Sequence, residues 1–288
     1  MQWVNAVIQG LLLGGLYALL AAGLSLMFGV MRIVNLAHGT LAVVAAYLGY
    51  VLVQSGWSLW LALPVVVVAL ATLGYAVQWF VFNRALDRGT LAPLLVAFGL
   101  SVVLTQLLQE IFSADTRSLP AGSLGTGSLQ LGQGLAVGYL PLLTFAAGVL
   151  TIAVVQLFLA KAPLGRAMRA ASDDPETVQL MGIPHRRVYA LSTALAFAMV
   201  ALAGIFLGMR TQFSPTYGDT MLIFAFEAVI IGGLGSLWGT LAGGIVLGVA
   251  QTVGSQIDPA FGVLAGHLVF LLVLAFKPSG LFPKAVDT

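Results

Sequence analysis

Apolar residues run almost unbroken along this chain, interrupted at intervals by short groups of charged residues, glycine and proline. An α-helix needs about 20 apolar residues to cross the hydrocarbon layer. Candidate stretches run Val4–Val30, Leu36–Gln54, Leu59–Phe82, Leu91–Phe112, Tyr139–Ala160, Val188–Met209, Thr220–Ile231, Thr240–Ile257 and Phe261–Phe276. The seventh is short, so the count reads as eight or nine, and a broken or re-entrant first or seventh segment fits either. The pattern predicts an all-α, polytopic transmembrane bundle forming one domain over residues 1–288.

One polar interval stands apart. GRAMRAASDDPETVQLMGIPHRR, from Gly165 to Arg187, is too polar to enter lipid, yet it carries helix signals. Asp174 is placed to accept from a free backbone N–H, Pro175 suits the first helical position, and Glu176 suits the positive end of the dipole. Gly182 then ends the helix and Pro184 prevents its resumption. The expectation is a helix of about two turns, roughly 10 Å long, with Val178 and Met181 on one face. Such a short capped helix outside the bilayer reads as a docking part, gripped by something soluble.

Composition changes the picture little but excludes much. Of 288 residues, 60% are hydrophobic and 8% charged, with mean hydropathy +1.03, against about 25% charged in soluble domains. The 34 glycines suit helices that associate in lipid by close packing. GxxxG spacing recurs at Gly10/Gly14, Gly204/Gly208, Gly235/Gly239, Gly239/Gly243 and Gly244/Gly248. Cysteine is absent, so thiolate and disulfide chemistry are too. The first apolar stretch lacks a basic leader and an A-x-A site, so it is expected to stay as a span.

Basic residues set the expected orientation. Arg32, Arg84, Arg88, Lys161, Arg166, Arg169, Arg186, Arg187, Lys277 and Lys284 fall on one side, leaving only Arg117 and Arg210 opposite. By the positive-inside rule the crowded side is cytoplasmic. The N-terminus is then external, the C-terminus internal, the polar interval cytoplasmic, and the Gly- and Ser-rich stretch Ser113–Gly138 outward.

The sequence holds no G-x-x-x-x-G-K-[ST] loop, no H-E-x-x-H pair and no G-x-S-x-G elbow, so ATPase, metalloenzyme and serine-hydrolase readings lack support and no metal site is expected. Candidate chemistry lies in the polar residues inside apolar stretches. Asn35 and His38, in VNLAHG, are placed to open a helix whose first N–H groups could face an anion; a turn residue and a structural histidine read equally well there. Glu227 sits about 12 Å along a helix from Asp219, at a depth where a charge costs about 3 kcal/mol and usually faces a cavity or the bundle interior. The alternative is a structural carboxyl hydrogen-bonded between helices. GGLGS, Gly232–Ser236, interrupts an apolar run with Gly232, Gly233 and Gly235, either lining a cavity or packing closely.

GLYALLAAGLSLMFGVMRIVNLAHG (Gly15–Gly39), LGRAMRAASDDPETVQLMGI (Leu164–Ile183) and EAVIIGGLGSLWGTLAGGIVLG (Glu227–Gly248) resemble, in order and spacing, the permeases of bacterial branched-chain amino acid ABC importers. The resemblance implies a multi-pass permease of the inner membrane, translocating branched-chain or other hydrophobic amino acids, with no cofactor of its own. Its implied partners are two cytoplasmic ATPases holding ATP and Mg²⁺, a second permease that is a paralogue or an identical copy, and a periplasmic binding protein. The family's coupling segment maps onto residues 163–187, with Asp173, Asp174, Pro175, Glu176, Met181 and Gly182 as the contact. Members of the family often carry an acid at the position of Thr40, a lysine at that of Phe224 and a small residue at that of Glu227. Those departures leave urea, short amides and simple sugars open as solutes within the superfamily. A secondary transporter without an ATPase is the reading from another class, and would need paired ionisable groups in the membrane.

Overall fold

The computed structural model describes residues 2–89, 91–132 and 135–282. Its helices are α1 Gln2–Met31, α2 His38–Gln54, α3 Leu59–Val77, α4 Asn83–Leu86, α5 Leu91–Phe112, α6 Ser123–Thr126, α7 Tyr139–Lys161, α8 Pro163–Asp173, α9 Pro175–Leu180, α10 His185–Arg210, α11 Tyr217–Gly232, α12 Leu237–Ile257 and α13 Phe261–Phe276. A π-turn over Gln78–Phe82 joins α3 to α4 as one rod. The Gly- and Ser-rich stretch Ser113–Gly138 is not all loop: strands β1 (Ser128–Gly132) and β2 (Leu135–Gly138) pair antiparallel beside α6.

Six of these rods are long and apolar enough to cross a membrane: α1, α3 with its π-turn and α4, α5, α7, α10 and α12. The helices α2, α11 and α13 have 17, 16 and 16 residues. They measure about 24–26 Å at the usual rise, less than the roughly 30 Å hydrocarbon layer. The seventh apolar stretch, expected over 220–231, begins earlier as α11, at Tyr217, because Asp219 and Gly218 are accommodated in its first turn.

The rods sort into a centre and a rim. The apolar windows of α1 and α10 are 83% and 72% buried, against 22% for the α3–α4 rod, α5 and α7. Glycine makes the centre dense. Gly10 and Gly14 of α1 lie against Gly248 and Gly244 of α12, in antiparallel register. A methyl group on Gly244 would stand 2.7 Å from the Gly14 carbonyl oxygen, so the two backbones touch where side chains would hold them apart. Gly204 and Gly208 of α10 receive Ala42 and Ala46 of α2 in the same way, and Gly15 of α1 meets Gly148 of α7. With no water to expel from between helices in lipid, such approach provides the attraction.

Contacts define two ends. At one, Gln9 donates to the Ala136 carbonyl (3.1 Å), Leu119 N–H donates to Gly208 (2.8 Å), and Arg117 and Phe213 exchange backbone hydrogen bonds of 2.8 Å. At the other, Ser172 donates to the Gly29 carbonyl (2.5 Å), Arg186 pairs with Asp87 (2.9 Å), and Asn83 donates to the Arg186 carbonyl (3.4 Å). There too the chain returns after α13: Leu281 and Phe282 N–H groups donate to the Ile231 and Gly232 carbonyls at the end of α11 (2.8 and 2.9 Å).

Candidate functional site

The polar interval folds as two helices, where the spacing predicted one. α8 begins with Pro163 and is seated by Ser172 on α1, with Met168 and Ala171 buried. Asp174 breaks the run with extended backbone. Its Oδ1 accepts from Thr177 N–H (3.0 Å) and its Oδ2 from the Thr177 hydroxyl (2.5 Å), so it caps α9. Pro175 and Glu176 open α9; their side chains lie outside the described residues.

The helix ends as a Schellman turn. Gly182 adopts φ +79°, its N–H donates to Gln179 (3.0 Å), and Ile183 N–H donates to Val178 (3.2 Å); this is the left-handed step that glycine takes without a Cβ penalty. Val178 is 4% exposed and Met181 74%, so the expectation that they share a face is corrected. α9 stops at Leu180, and the chain carries Met181 around the turn. Leu180, 89% exposed, stands beside it. The sequence reading passed over Leu180, although two large apolar residues just before a helix-ending glycine were the available signal. Asp173 and Asp174 are exposed. The tip therefore shows two apolar side chains to solvent beside two carboxylates.

Asn35 and His38 are both wholly buried. Asn35 Oδ1 accepts from Ala37 N–H (3.0 Å), an Asx turn that starts α2, while its Nδ2 faces the Met27 sulfur (3.8 Å). His38 Nε2 donates to the Leu20 carbonyl (2.7 Å) on α1, and its Nδ1 has no partner among the described residues. The imidazole fills the space left by Gly23. Both residues thus bond to the chain's own groups, at the α1–α2 junction.

Glu227 is not alone, as the sequence suggested. Its Oε1 is hydrogen-bonded to His267 Nδ1 on α13, while Oε2 is buried without a partner among the described residues. Phe224, one turn earlier on α11, stacks on the His267 ring at 6.2 Å and lies tilted by 44° against Tyr17 of α1 at 5.2 Å. Tyr17 in turn donates to Gln251 Oε1 on α12 (2.5 Å). Four helices thus converge on a buried polar cluster. His267 and Gln251 escaped the sequence reading because each sits alone in an apolar stretch on another helix. Thr40, the other position where the family pattern departs, shares a 2.7 Å hydrogen bond with Ser101.

The glycine interruption is a real break. α11 stops at Gly232, Gly233 and Gly235 take φ +108° and +79°, and Ser236 caps α12 by accepting from Gly239 N–H (3.1 Å). Gly232 packs against Gly239 with no room for a side chain. Close packing and a broken helix both hold here. Beside the break, Ser25, Gly29, Gln156, Arg169, Ser236 and Trp238 line a cavity open at one side. The cluster around Glu227 and the glycine break share α11, whereas the α8–α9 segment approaches the break through Gly29.

Comparison with known proteins places the chain in a family. A family model described as "Branched-chain amino acid transport system / permease component" matches residues 6–276. The high-affinity branched-chain amino acid transport system permease protein BraD of Pseudomonas aeruginosa is 28% identical, covering 98% of this chain and 96% of its own length. The corresponding LivH protein of Escherichia coli K12 is 26% identical, covering 99% and 96%. A probable LivH of Methanocaldococcus jannaschii is 28% identical over 93% and 86%.

Proposed function

Because the chain belongs to the branched-chain amino acid transport permease family, we infer that it works as the membrane-spanning subunit of an ABC importer for branched-chain or other hydrophobic amino acids. It is a multi-pass inner-membrane protein and a transport component, with ATP hydrolysis lying in other subunits. The observation that carries the reading is the family match along 6–276, the same order in which the three quoted motifs occur.

In the mechanism proposed, the three shorter helices also cross, giving nine spans, with the N-terminus outside and the C-terminus in the cytoplasm. The basic asymmetry supports this orientation, and so do the contacts that gather Arg32, Arg88 and the α8–α9 segment at one end and the β1–β2 hairpin at the other. Residues 163–187 are then cytoplasmic. Leu180 and Met181, with Asp173, Asp174, Pro175, Glu176 and Gly182, seat in a groove of the ATPase, where burial of two exposed apolar side chains favours association.

Two ATPases binding ATP and Mg²⁺, a second permease and a periplasmic binding protein complete the assembly. ATP-driven closure of the ATPases moves α8 and α9, and Ser172 passes the motion to α1 beside the Gly233–Ser236 break. Glu227 and the glycines Gly232, Gly233 and Gly235 line or shape the path that opens, while Asn35 and His38 fix the α1–α2 corner behind it. Co-expression with the ATPases and binding protein encoded beside it, followed by ATP-dependent [³H]leucine uptake into proteoliposomes, tests the reading. Uptake that needs neither ATP nor the ATPases would overturn it.

A further inference from the structure

The cluster around Glu227 holds two polar atoms that are buried and without a hydrogen-bond partner among the described residues: Glu227 Oε2 and Gln251 Nε2. Buried orphans are rare and each calls for a cause. Glu227 is bonded to His267 and Gln251 to Tyr17, and the Phe224 ring lies against both of those partners. The orphans are also of opposite kinds, an acceptor on Glu227 and a donor on Gln251.

The partnered atoms explain why the others are free. His267 occupies one oxygen of Glu227 and fixes the carboxyl, so that Oε2 is presented in one direction. Tyr17 does the same for Gln251, taking its Oε1 and leaving its amide N–H₂. Between the two pairs stands Phe224, stacked on His267 and tilted against Tyr17. An aromatic face lies between an anchored acceptor and an anchored donor.

We propose that Tyr17, Phe224, Glu227, Gln251 and His267 form the point in this chain where a zwitterionic amino acid is read during passage. Glu227 Oε2 takes the ammonium group, Gln251 Nε2 takes the carboxylate, and Phe224 receives the apolar side chain. The proposal deepens the function inferred above and rests on it. An ionisable pair inside a membrane bundle ordinarily marks a solute or ion path, and the half-buried His267, its side chain 37% exposed, leaves one side of the cluster open. A ligand carrying both charges satisfies both orphans, whereas a neutral sugar or an amide leaves the Glu227 carboxylate desolvated and unpaired.

The test uses the assembled importer in proteoliposomes and [³H]leucine as probe. Glu227→Gln keeps the shape and the link to His267 but gives up the charge, and should cut uptake at least tenfold; Gln251→Leu should cut it several-fold. A second reading leaves the cluster untouched. Ile223 lies one turn before Glu227 and is half exposed, so Ile223→Cys supplies a lone thiol. Millimolar leucine should slow its reaction with a maleimide at least threefold. 3-Methylbutylamine, which lacks the carboxylate, and 4-methyl-2-oxopentanoate, which lacks the ammonium, should not. Normal uptake by Glu227→Gln, or equal protection by all three compounds, overturns the assignment while leaving the importer reading intact. A wild-type complex that ignores leucine overturns both.

Discussion

Glu227 on α11 and His267 on α13 are hydrogen-bonded to each other across forty residues of chain, carboxyl oxygen to Nδ1, inside a largely apolar bundle. Removing one partner strands the other. Glu227→Leu and His267→Leu should each lower the melting temperature of the detergent-solubilised protein. The double variant should lose less than the two losses summed, because nothing is then left unpaired. Pairs of this kind in membrane bundles couple by about 0.6 kcal/mol on average and up to about 1.7. Strict additivity in the double-mutant cycle would mean that the pair contributes nothing to folding.

Energy coupling should fail when the tip of α9 is spoiled. Met181→Asp with Gly182→Pro places a charge on the exposed apolar tip and removes the φ +79° that the Schellman turn requires. Transport and stimulation of the partner ATPase should both be lost while membrane insertion persists. Leu180→Asp alone, which changes an exposed side chain and none of the turn's backbone hydrogen bonds, should weaken stimulation several-fold. Full stimulation of the double variant in reconstituted vesicles would place the docking surface elsewhere.

Sidedness can be measured cleanly, since no cysteine is present. Ser123 and Arg88 are both exposed, at opposite ends of the molecule. Ser123→Cys should react with an impermeant maleimide in intact cells, and Arg88→Cys only after permeabilisation. The opposite labelling would invert the topology and remove α9 from the cytoplasm.

The glycine contacts predict a contrast between two alanines. A Cβ at Gly244 meets α1 backbone at 2.7 Å, while one at Gly99 meets nothing within 4 Å. Gly244→Ala should destabilise by about 1–3 kcal/mol, the usual cost of overpacking. Gly99→Ala should be neutral or stabilising by up to about 1 kcal/mol, since it restricts the unfolded chain without a clash. Thermal unfolding of the two variants checks both; equal melting temperatures would refute the packing argument.

The apolar runs told where helices lie, and the glycine spacings marked faces fit for close packing, but not their partners: it is the structure that sets Gly10 and Gly14 against Gly248 and Gly244. The helix cap at Asp174 and the stop at Gly182 were also legible, because both are local chemistry. What escaped is non-local. The link between Glu227 and His267 depends on which face of α13 turns inward, and no periodicity in a uniformly apolar helix records that. The same holds for Gln78, which accepts from Thr193 (2.8 Å) and donates to Asn83 (3.0 Å) near the α4 end of the α3–α4 rod. The Val178–Met181 error has a simpler cause: a three-residue spacing means a shared face only while the helix lasts.

The return of the chain onto the end of α11 has a mechanical effect. Leu281 and Phe282 bind the Ile231 and Gly232 carbonyls, and Gly280 lies against Gly233, so α11 and α13 are tied at the end where the glycine break begins. In the mechanism proposed, a stroke arriving there would tilt the two helices as one lever, with Glu227 and His267 riding on it together. Tyr17 and Gln251 lie on the closely packed α1–α12 pair instead. Motion at the break would then become shear across Phe224, parting the acceptor half of the cluster from the donor half, and a solute held between them would lose both grips in a single step.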